Sequence, residues 1–403
     1  MLLSLLTGNQ HNLFMSEGRL SLVKEVSFLI ELSRLSLCMI VKNEEDCIGR
    51  CLDSVKDVVD EIIIVDTGST DRTIEICNSY GADVLQFSWN ENFSDARNYG
   101  IERATGDWIL WLDADEEVDK AERYKLRDSL YQDDYDLLFI HLVNYYGNEV
   151  DPDKVINVEH SRLFRREKGF RFVNKIHETI NANEILKTKE ELERIGRIPL
   201  KVYHYGYLNR AVDEKKKYER NITMLKKELD EDNHSPWIHY HIGSEYYRIN
   251  EFEIAFEHVN KSIVEFILAG YTPPSMLYKL KYSILISLGS FEGAWPGIEK
   301  AVALYPDYVD LQFYKGVILY YKDMVQEALK VFDHCIELGE ENLKYLILRG
   351  LGSFQAWYYK GLCLEKMGEI EEAIHAYQES LSQCDTLDAA REALNKLLDK
   401  EVR

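Results

Sequence analysis

Short apolar runs, each closing in polar residues, pattern the first half of the chain, and a longer helical period patterns the second. Residues 35–41, 61–65, 82–87, 108–112 and 137–143 are rich in Leu, Ile, Val, Phe and Trp. Runs of this length bounded by turn residues predict buried strands. Helical spacing follows most of them: Ile48, Cys51, Leu52 and Val55 after the first, Ile74, Ile76 and Cys77 after the second. Residues 92–100 predict a further helix start capped by Ser94, and residues 119–131 another helix. Strands alternating with helices predict an α/β domain, and the run at 108–112, apolar on both faces, suits the middle of a parallel sheet. Upstream, Leu22, Val23, Val26, Phe28, Leu29 and Leu32 place an amphipathic helix over 21–33, packed on the domain that follows.

From about Asp213 the chain turns helical and rich in Tyr, Glu, Lys and Leu. A small residue recurs twelve positions after an anchor: Gly243 with Ala255, Gly316 with Ala328, Gly361 with Ala373, with Phe332 and Tyr377 four further on in the last two. From Ala294 to Ala328 is 34 residues, the tetratricopeptide period. The step from Ala328 to Ala373 is 45 residues, which predicts an insertion near 339–353. Small residues let paired helices approach, and the aromatics are expected to fill the gap to the next repeat. Such an array is an all-α superhelix whose concave face takes an extended peptide or protein. Dimerisation through the array and plain scaffolding are the competing uses. The expected division is 1–33, a helical extension; 34–212, the α/β domain; and 213–403, the repeats.

Composition narrows the classes of function. The 403 residues are 46% hydrophobic and 29% charged, with a formal charge of -22. That balance is ordinary for a globular chain and argues against a nucleic-acid partner, whose footprint would be basic. Seven cysteines, an odd number without Cys-x-x-Cys or zinc spacing, predict a reducing cytoplasmic setting. No apolar run reaches 18 residues, so no transmembrane segment is expected. The opening Met1-Leu2-Leu3-Ser4-Leu5-Leu6 lacks a basic leader, which argues against a signal peptide, and a start at Met15 is equally compatible.

The chemistry gathers where predicted strands end. Asp113 and Asp115 flank one small residue, so their carboxylates either converge on a hard divalent cation, which takes oxygen ligands, or form an acidic turn. Asp66 closes its strand before Gly68-Ser69-Thr70, reading either as a well-made turn or as an acid for a base ring's N–H. Arg97, early on a helix, suits a fork to phosphate or carboxylate, or a bridge pinning the helix. Glu178 is the right type for a base that takes an acceptor's proton. His204, with His177 as alternative, reads as a metal ligand or as a hydrogen-bonded core histidine. Arg162, Arg165 and Arg171 either neutralise a diphosphate or edge a solvated hairpin.

Four blocks stand in order: Cys38-Met-Ile-Val-Lys-Asn-Glu-Glu45, Ile64-Val-Asp-Thr-Gly-Ser-Thr-Asp71, Phe93-Ser-Asp-Ala-Arg-Asn98 and Trp111-Leu-Asp-Ala-Asp115. Together they resemble the family 2 glycosyltransferases. The resemblance implies a GT-A fold with a Rossmann-like mixed sheet, a UDP-sugar donor, Mg²⁺ or Mn²⁺, and inversion at the anomeric carbon. It assigns the donor side to Val41, Asn43, Glu44, Asp66, Ser69, Arg97, Asn98 and Asp113. It gives the metal to Asp115 with His204 (Asp113 sharing it, or His177 replacing the histidine) and the base to Glu178. The family often has two acids where this chain has Asp66-Thr67, so only the first is carried over. A catalytic domain followed by a repeat tail resembles the glycocin peptide glycosyltransferases, which implies glucose transfer to Cys or Ser of a peptide held by the repeats. Transfer to lipopolysaccharide core is the alternative acceptor, and a repeat adaptor with a spent catalytic domain the rival class.

Overall fold

A computed structural model describes residues 33–208, 211–231 and 234–401. The helix expected over 21–33 lies, apart from Ser33, outside the described residues. Among the described residues the first half builds a nine-stranded sheet in the order β3-β2-β1-β4-β7-β6-β10-β5, with β11 on the edge of β7. The strands are β1 (Leu35–Val41), β2 (Glu61–Asp66), β3 (Asp83–Gln86), β4 (Trp108–Trp111), β5 (Glu116–Val118), β6 (Leu137–Gly147), β7 (Val155–Arg165), β10 (Ile195–Leu208) and β11 (Ile347–Leu348). A separate pair, β8 (Phe172–Val173) and β9 (Thr179–Ile180), forms a small hairpin.

Most of the apolar runs become buried strands, but the run at 82–87, expected to be buried, forms the half-exposed edge strand β3. Helix α1 (Ile48–Val55) sets Ile48, Cys51, Leu52 and Val55 into one core with Leu35, Leu37, Met39, Trp108 and Leu110. On the opposite face Ile101 of α3 (Phe93–Ile101) packs with Ile63, Ile109, Trp111 and Phe164; α2 (Thr73–Ser79) lies between them in the chain. Helix α4 (Tyr124–Leu130) begins five residues later than expected, after a turn over 119–123. The cap of α3 also differs from expectation. Asn92, not Ser94, accepts from Asp95 N at 3.2 Å, which frees the Ser94 hydroxyl to donate to Asn174 O.

Strand β4 is parallel to β1 but antiparallel to β7, so the all-parallel surroundings expected for 108–112 hold on one edge only. A strand buried on both faces has the same composition in either setting, which is why the pattern did not reveal its second neighbour. The chain leaves β1 for β2 on one side while β4 lies on the other. Carboxyl ends that diverge in this way leave a crevice, the usual ligand site of open α/β sheets.

The helices of the second half are α5 (Ala211–Leu229), α6 (Trp237–Arg248), α7 (Phe252–Leu268), α8 (Ser275–Ser287), α9 (Ile298–Leu304), α10 (Val309–Tyr321), α11 (Val325–Leu338), α12 (Phe354–Met367), α13 (Ile370–Gln383) and α14 (Asp388–Glu401). A β-carbon on Gly316 or Gly361 would strike the ring of Phe332 or Tyr377, so each aromatic packs inside its own repeat. Phe332 also stacks on Tyr359 of the next helix pair, 5.3 Å between centroids, so the expected role of bridging repeats applies to it as well.

The insertion near 339–353 fastens the array to the sheet. Four-residue β4 covers only Leu163 to Arg165 of β7, which leaves the rest of that long edge open, and β11 pairs there with Ile156 and Asn157. An unpaired strand edge is a template for another strand. Around it Glu159 N donates to Leu343 O (2.9 Å), and Lys279 Nζ and Tyr308 Oη both donate to Leu346 O (2.7 Å each). Asp310, fully buried, takes Lys279 at 2.7 Å and the Leu348 amide at 3.2 Å. No described helix is long and apolar enough to cross a membrane.

Breaking a buried pair strands its partner. Asp310→Ala leaves Lys279 without its counter-charge and the Leu348 amide without its acceptor, and is expected to lower stability by about 3–5 kcal/mol. Urea unfolding measures this, and a loss below about 1 kcal/mol would contradict the fastening role.

Candidate active site

The crevice at the carboxyl ends of β1, β2 and β4 collects most of the residues singled out from the sequence. Val41 and Asp66 sit in register on neighbouring parallel strands. Asp66, buried, accepts Gly68 N (3.1 Å) and Ser69 N (3.1 Å to Oδ1), shaping the turn after β2. The Val41 carbonyl takes the Thr67 amide (3.0 Å). Two loops are tied together by Asn43, which holds a positive φ of 56°, donates from its amide to Ser69 Oγ (3.0 Å) and accepts from Thr70 N (2.7 Å). Glu44 follows, its amide on Thr73 Oγ1 at 2.7 Å. Burial raises the Glu44 carboxyl, Asp115 and Asp113 add to that, and the Cys47 thiol opposes it.

The acidic turn after β4 is built by Glu116. This buried side chain accepts the Asp113 amide (3.0 Å), its own amide donates to Asp113 O (3.1 Å), and its other oxygen meets Arg162. The turn thereby presents Asp113 and Asp115 outward. Burial raises the Glu116 carboxyl and the Arg162 guanidinium opposes the rise.

Arg97 joins this turn to a second loop. Its Nη2 donates to Asp113 Oδ1 (2.7 Å) and its Nε to Glu178 Oε1 (2.6 Å), while its guanidinium lies against the rings of Trp111 (4.6 Å) and Phe172 (5.2 Å). Burial disfavours the charge on Arg97, but Asp113 and Glu178 outweigh it and raise its pKa. Burial likewise works against ionisation of Asp113, yet Arg97 and Arg162 hold its carboxyl well below the ordinary carboxylate range.

Glu178 stands in the turn of the β8–β9 hairpin, and one face of α3 holds that hairpin. Ser94 donates to Asn174 O, Phe93 N to Lys175 O (2.8 Å), and Asn98 pairs with both backbone groups of Phe172 (2.9 Å each). The block 93–98 therefore acts as a docking face for the loop that carries Glu178. Both ends of the Asn98 amide are occupied there, which gives it a positioning role at the hairpin.

His204, on β10, faces Asp115 with 3.5 Å between Nε2 and Oδ1. Asn144 donates from Nδ2 to Ile156 O (3.0 Å), so its Oδ1 faces His204 Nδ1 at 2.8 Å and calls for a hydrogen on that nitrogen. Nε2 and the carboxylate are then compatible only with a proton or a cation between them. Burial works against protonating His204, and Asp115 outweighs it, raising its pKa. Gly206 keeps this space open, since a β-carbon there would collide with both Asp115 and His204. Among the described residues no third His, Cys, Asp or Glu joins the pair into a closed metal cluster. An Asp–His pair with an orienting amide still fits a divalent cation that keeps positions for phosphate oxygens.

Among the partners open to Arg97, the structure gives it two carboxylates. His177 lies beside Glu245 (3.9 Å) and stacks on His241, not with Asp115. Arg162, Arg165 and Arg171 are engaged with Glu116, Asp136 and Glu102, so none is a free diphosphate neutraliser. Asn144, Trp111, Glu116 and Gly206 carry structural duties not expected from the sequence, although an acid directly after Asp115 was a usable signal for Glu116.

Comparison with known proteins agrees with this geometry. Residues 36–190 match the family described as Glycosyl transferase family 2, and residues 354–386 match the tetratricopeptide repeat. The chain thus carries a family 2 glycosyltransferase domain of GT-A-like mixed α/β build, followed by a helical repeat region. It is 34% identical over 257 residues to a TPR repeat-containing protein of Synechococcus elongatus, covering 63% of this chain and 62% of that one. It is 31% identical over 230 residues to the SPbeta prophage-derived glycosyltransferase SunS of Bacillus subtilis, covering 56% of this chain and 52% of SunS. The chain thus spans between half and two thirds of the length of these curated relatives. A more distant likeness is to S. aureus TarS, at 19% identity and a TM-score of 0.37, covering 62% of this chain and 52% of that chain.

Arg97→Lys keeps the charge but loses the fork. Hydrogen exchange at 174–180 is expected to quicken at least tenfold, since about 1.4 kcal/mol of lost fastening corresponds to that factor. Unchanged exchange there would show that Arg97 does not hold the hairpin.

Proposed function

We propose that this chain transfers a hexose from a UDP-sugar, UDP-glucose in the first instance, onto a Cys or Ser side chain of a peptide, with inversion. The observation that carries the proposal is the convergence of Asp115 with His204 and of Glu178 with Asp113 in one crevice, joined through Arg97. The family 2 domain, the similarity to SunS and the repeat region support it. The crevice walls formed by Val41, Asn43, Glu44, Asp66 and Ser69 suit the uridine, with Asp66 near enough to the surface turn to receive a base N–H.

A Mg²⁺ or Mn²⁺ ion held by Asp115 and His204 would neutralise charge on the diphosphate leaving group when bound. Glu178 takes the proton of the acceptor's thiol or hydroxyl as that atom attacks the anomeric carbon. A single displacement from the face opposite the leaving diphosphate inverts that carbon. Arg97 keeps Glu178 aimed, because a turned carboxylate could not reach the proton it is to accept. Asn144 fixes the His204 ring so that Nε2, not Nδ1, faces the pocket. The acceptor peptide reaches Glu178 from the repeat side.

Incubating the full chain with UDP-glucose, Mn²⁺ and a precursor peptide bearing Cys or Ser is expected to add one hexose mass per site. Glu178→Gln should slow transfer by about 10²–10⁴-fold, and EDTA or Asp115→Ala should stop it. Transfer to a lipid core and not to peptide would reverse the acceptor assignment. Metal-independent background hydrolysis alone, unchanged in Asp115→Ala, would sink the enzyme reading.

A further inference from the structure

The turn that carries Glu178 is held from two sides, and the second side belongs to the repeat array. Ile176, two residues before Glu178, is buried in a core made with Ile222, Leu225, Ile238 and Ile242 of α5 and α6. His177, between them, has a φ of +52°, in the left-handed region that residues other than glycine use sparingly, so the packing around it bears on whether the turn is kept.

Helix α6 supplies that packing. Its residues 237, 241, 245 and 248 follow the helical period and share one face. His241 stacks on His177 with ring centroids 4.1 Å apart and planes 9° from parallel. Glu245, 1% exposed, places Oε1 3.9 Å from His177 Nε2, a charge contact, longer than a hydrogen bond, to a buried nitrogen that has no hydrogen-bond partner among the described residues. Glu245 is itself fixed by Asn221 Nδ2 (2.9 Å) and Arg248 Nη1 (3.7 Å). The same Arg248 lies over the ring of Tyr207 (5.7 Å), and Tyr207 packs edge-on against His204 (4.9 Å). One helix of the array thus touches both the loop of Glu178 and the strand of His204.

We infer that Glu245 is a positioning residue of the active site, holding His177 in its left-handed turn so that Glu178 points into the crevice. The repeat array is then part of the catalytic apparatus besides any part in holding the acceptor. The inference rests on Glu178 being the base.

The test uses the full chain and the release of UDP from UDP-glucose with Mn²⁺. Glu245→Gln is expected to lower kcat by about ten- to a hundredfold, the scale of a misplaced catalytic group. KM for UDP-glucose, UDP affinity with Mn²⁺ and the thermal midpoint should stay near wild type. Asn tolerates a left-handed φ, so in a His177→Asn background Glu245→Gln should cause little further loss. Wild-type kcat in Glu245→Gln, or the same fractional loss in both backgrounds, overturns the inference. If Glu245→Gln does not fold, Glu245→Asp gives the same comparison. Full turnover in Glu178→Gln removes the base reading itself; loss there with wild-type turnover in Glu245→Gln removes only the role of Glu245.

Discussion

The site depends on one guanidinium. Arg97 is buried and grips two carboxylates from loops 65 residues apart in sequence, Asp113 after β4 and Glu178 in the β8–β9 turn. Arg97 between them offers each carboxylate its own N–H, holding the Asp113 carboxyl well below the ordinary range and aiming both side chains. The planar fork of arginine, with separate nitrogens for separate partners, suits this task in a way that a lysine ammonium does not. Trp111 and Phe172 supply the aromatic faces against which the cation rests. A second guanidinium, Arg162, lies over the other reach of Trp111 at 3.6 Å and secures Glu116, which shapes the acidic turn.

The array and the sheet form one working unit through two junctions. At the first, β11 extends the open edge of β7, and the buried Lys279–Asp310 pair locks it there. At the second, α6 backs the turn of Glu178. A tetratricopeptide array ordinarily offers its inner face to an extended ligand. Here part of the helical region is committed to the sheet domain.

Much of this was legible in the sequence, and the remainder was hidden for physical reasons. The apolar runs marked β1, β2 and β4, since a strand buried on both faces has few other ways to be written. The helical spacing of Ile48, Cys51, Leu52 and Val55 marked α1. Gly316 with Phe332 and Gly361 with Tyr377 marked the repeats, and the 45-residue step marked the insertion that became β11. What that insertion pairs with was not legible, because a two-residue strand takes its partner from the edge it meets. Pairing of charges was equally hidden. Arg162, Arg165 and Arg171 looked alike in sequence, yet each is engaged by an acid far away in the chain. Asn92 displaced Ser94 as the cap of α3 because Ser94 was needed for Asn174, a contact made 80 residues away.

In the proposed function Asp115 and His204 form the protein half of a cation site that the nucleotide diphosphate completes. Titration of Mn²⁺ into the full chain, with and without UDP, tests it most directly. The account predicts one tight Mn²⁺ per chain in the presence of UDP, binding at least about tenfold weaker without it (1.4 kcal/mol,), and loss of the tight site in Asp115→Ala. UDP binding that is indifferent to Mn²⁺ and to Asp115→Ala would contradict it.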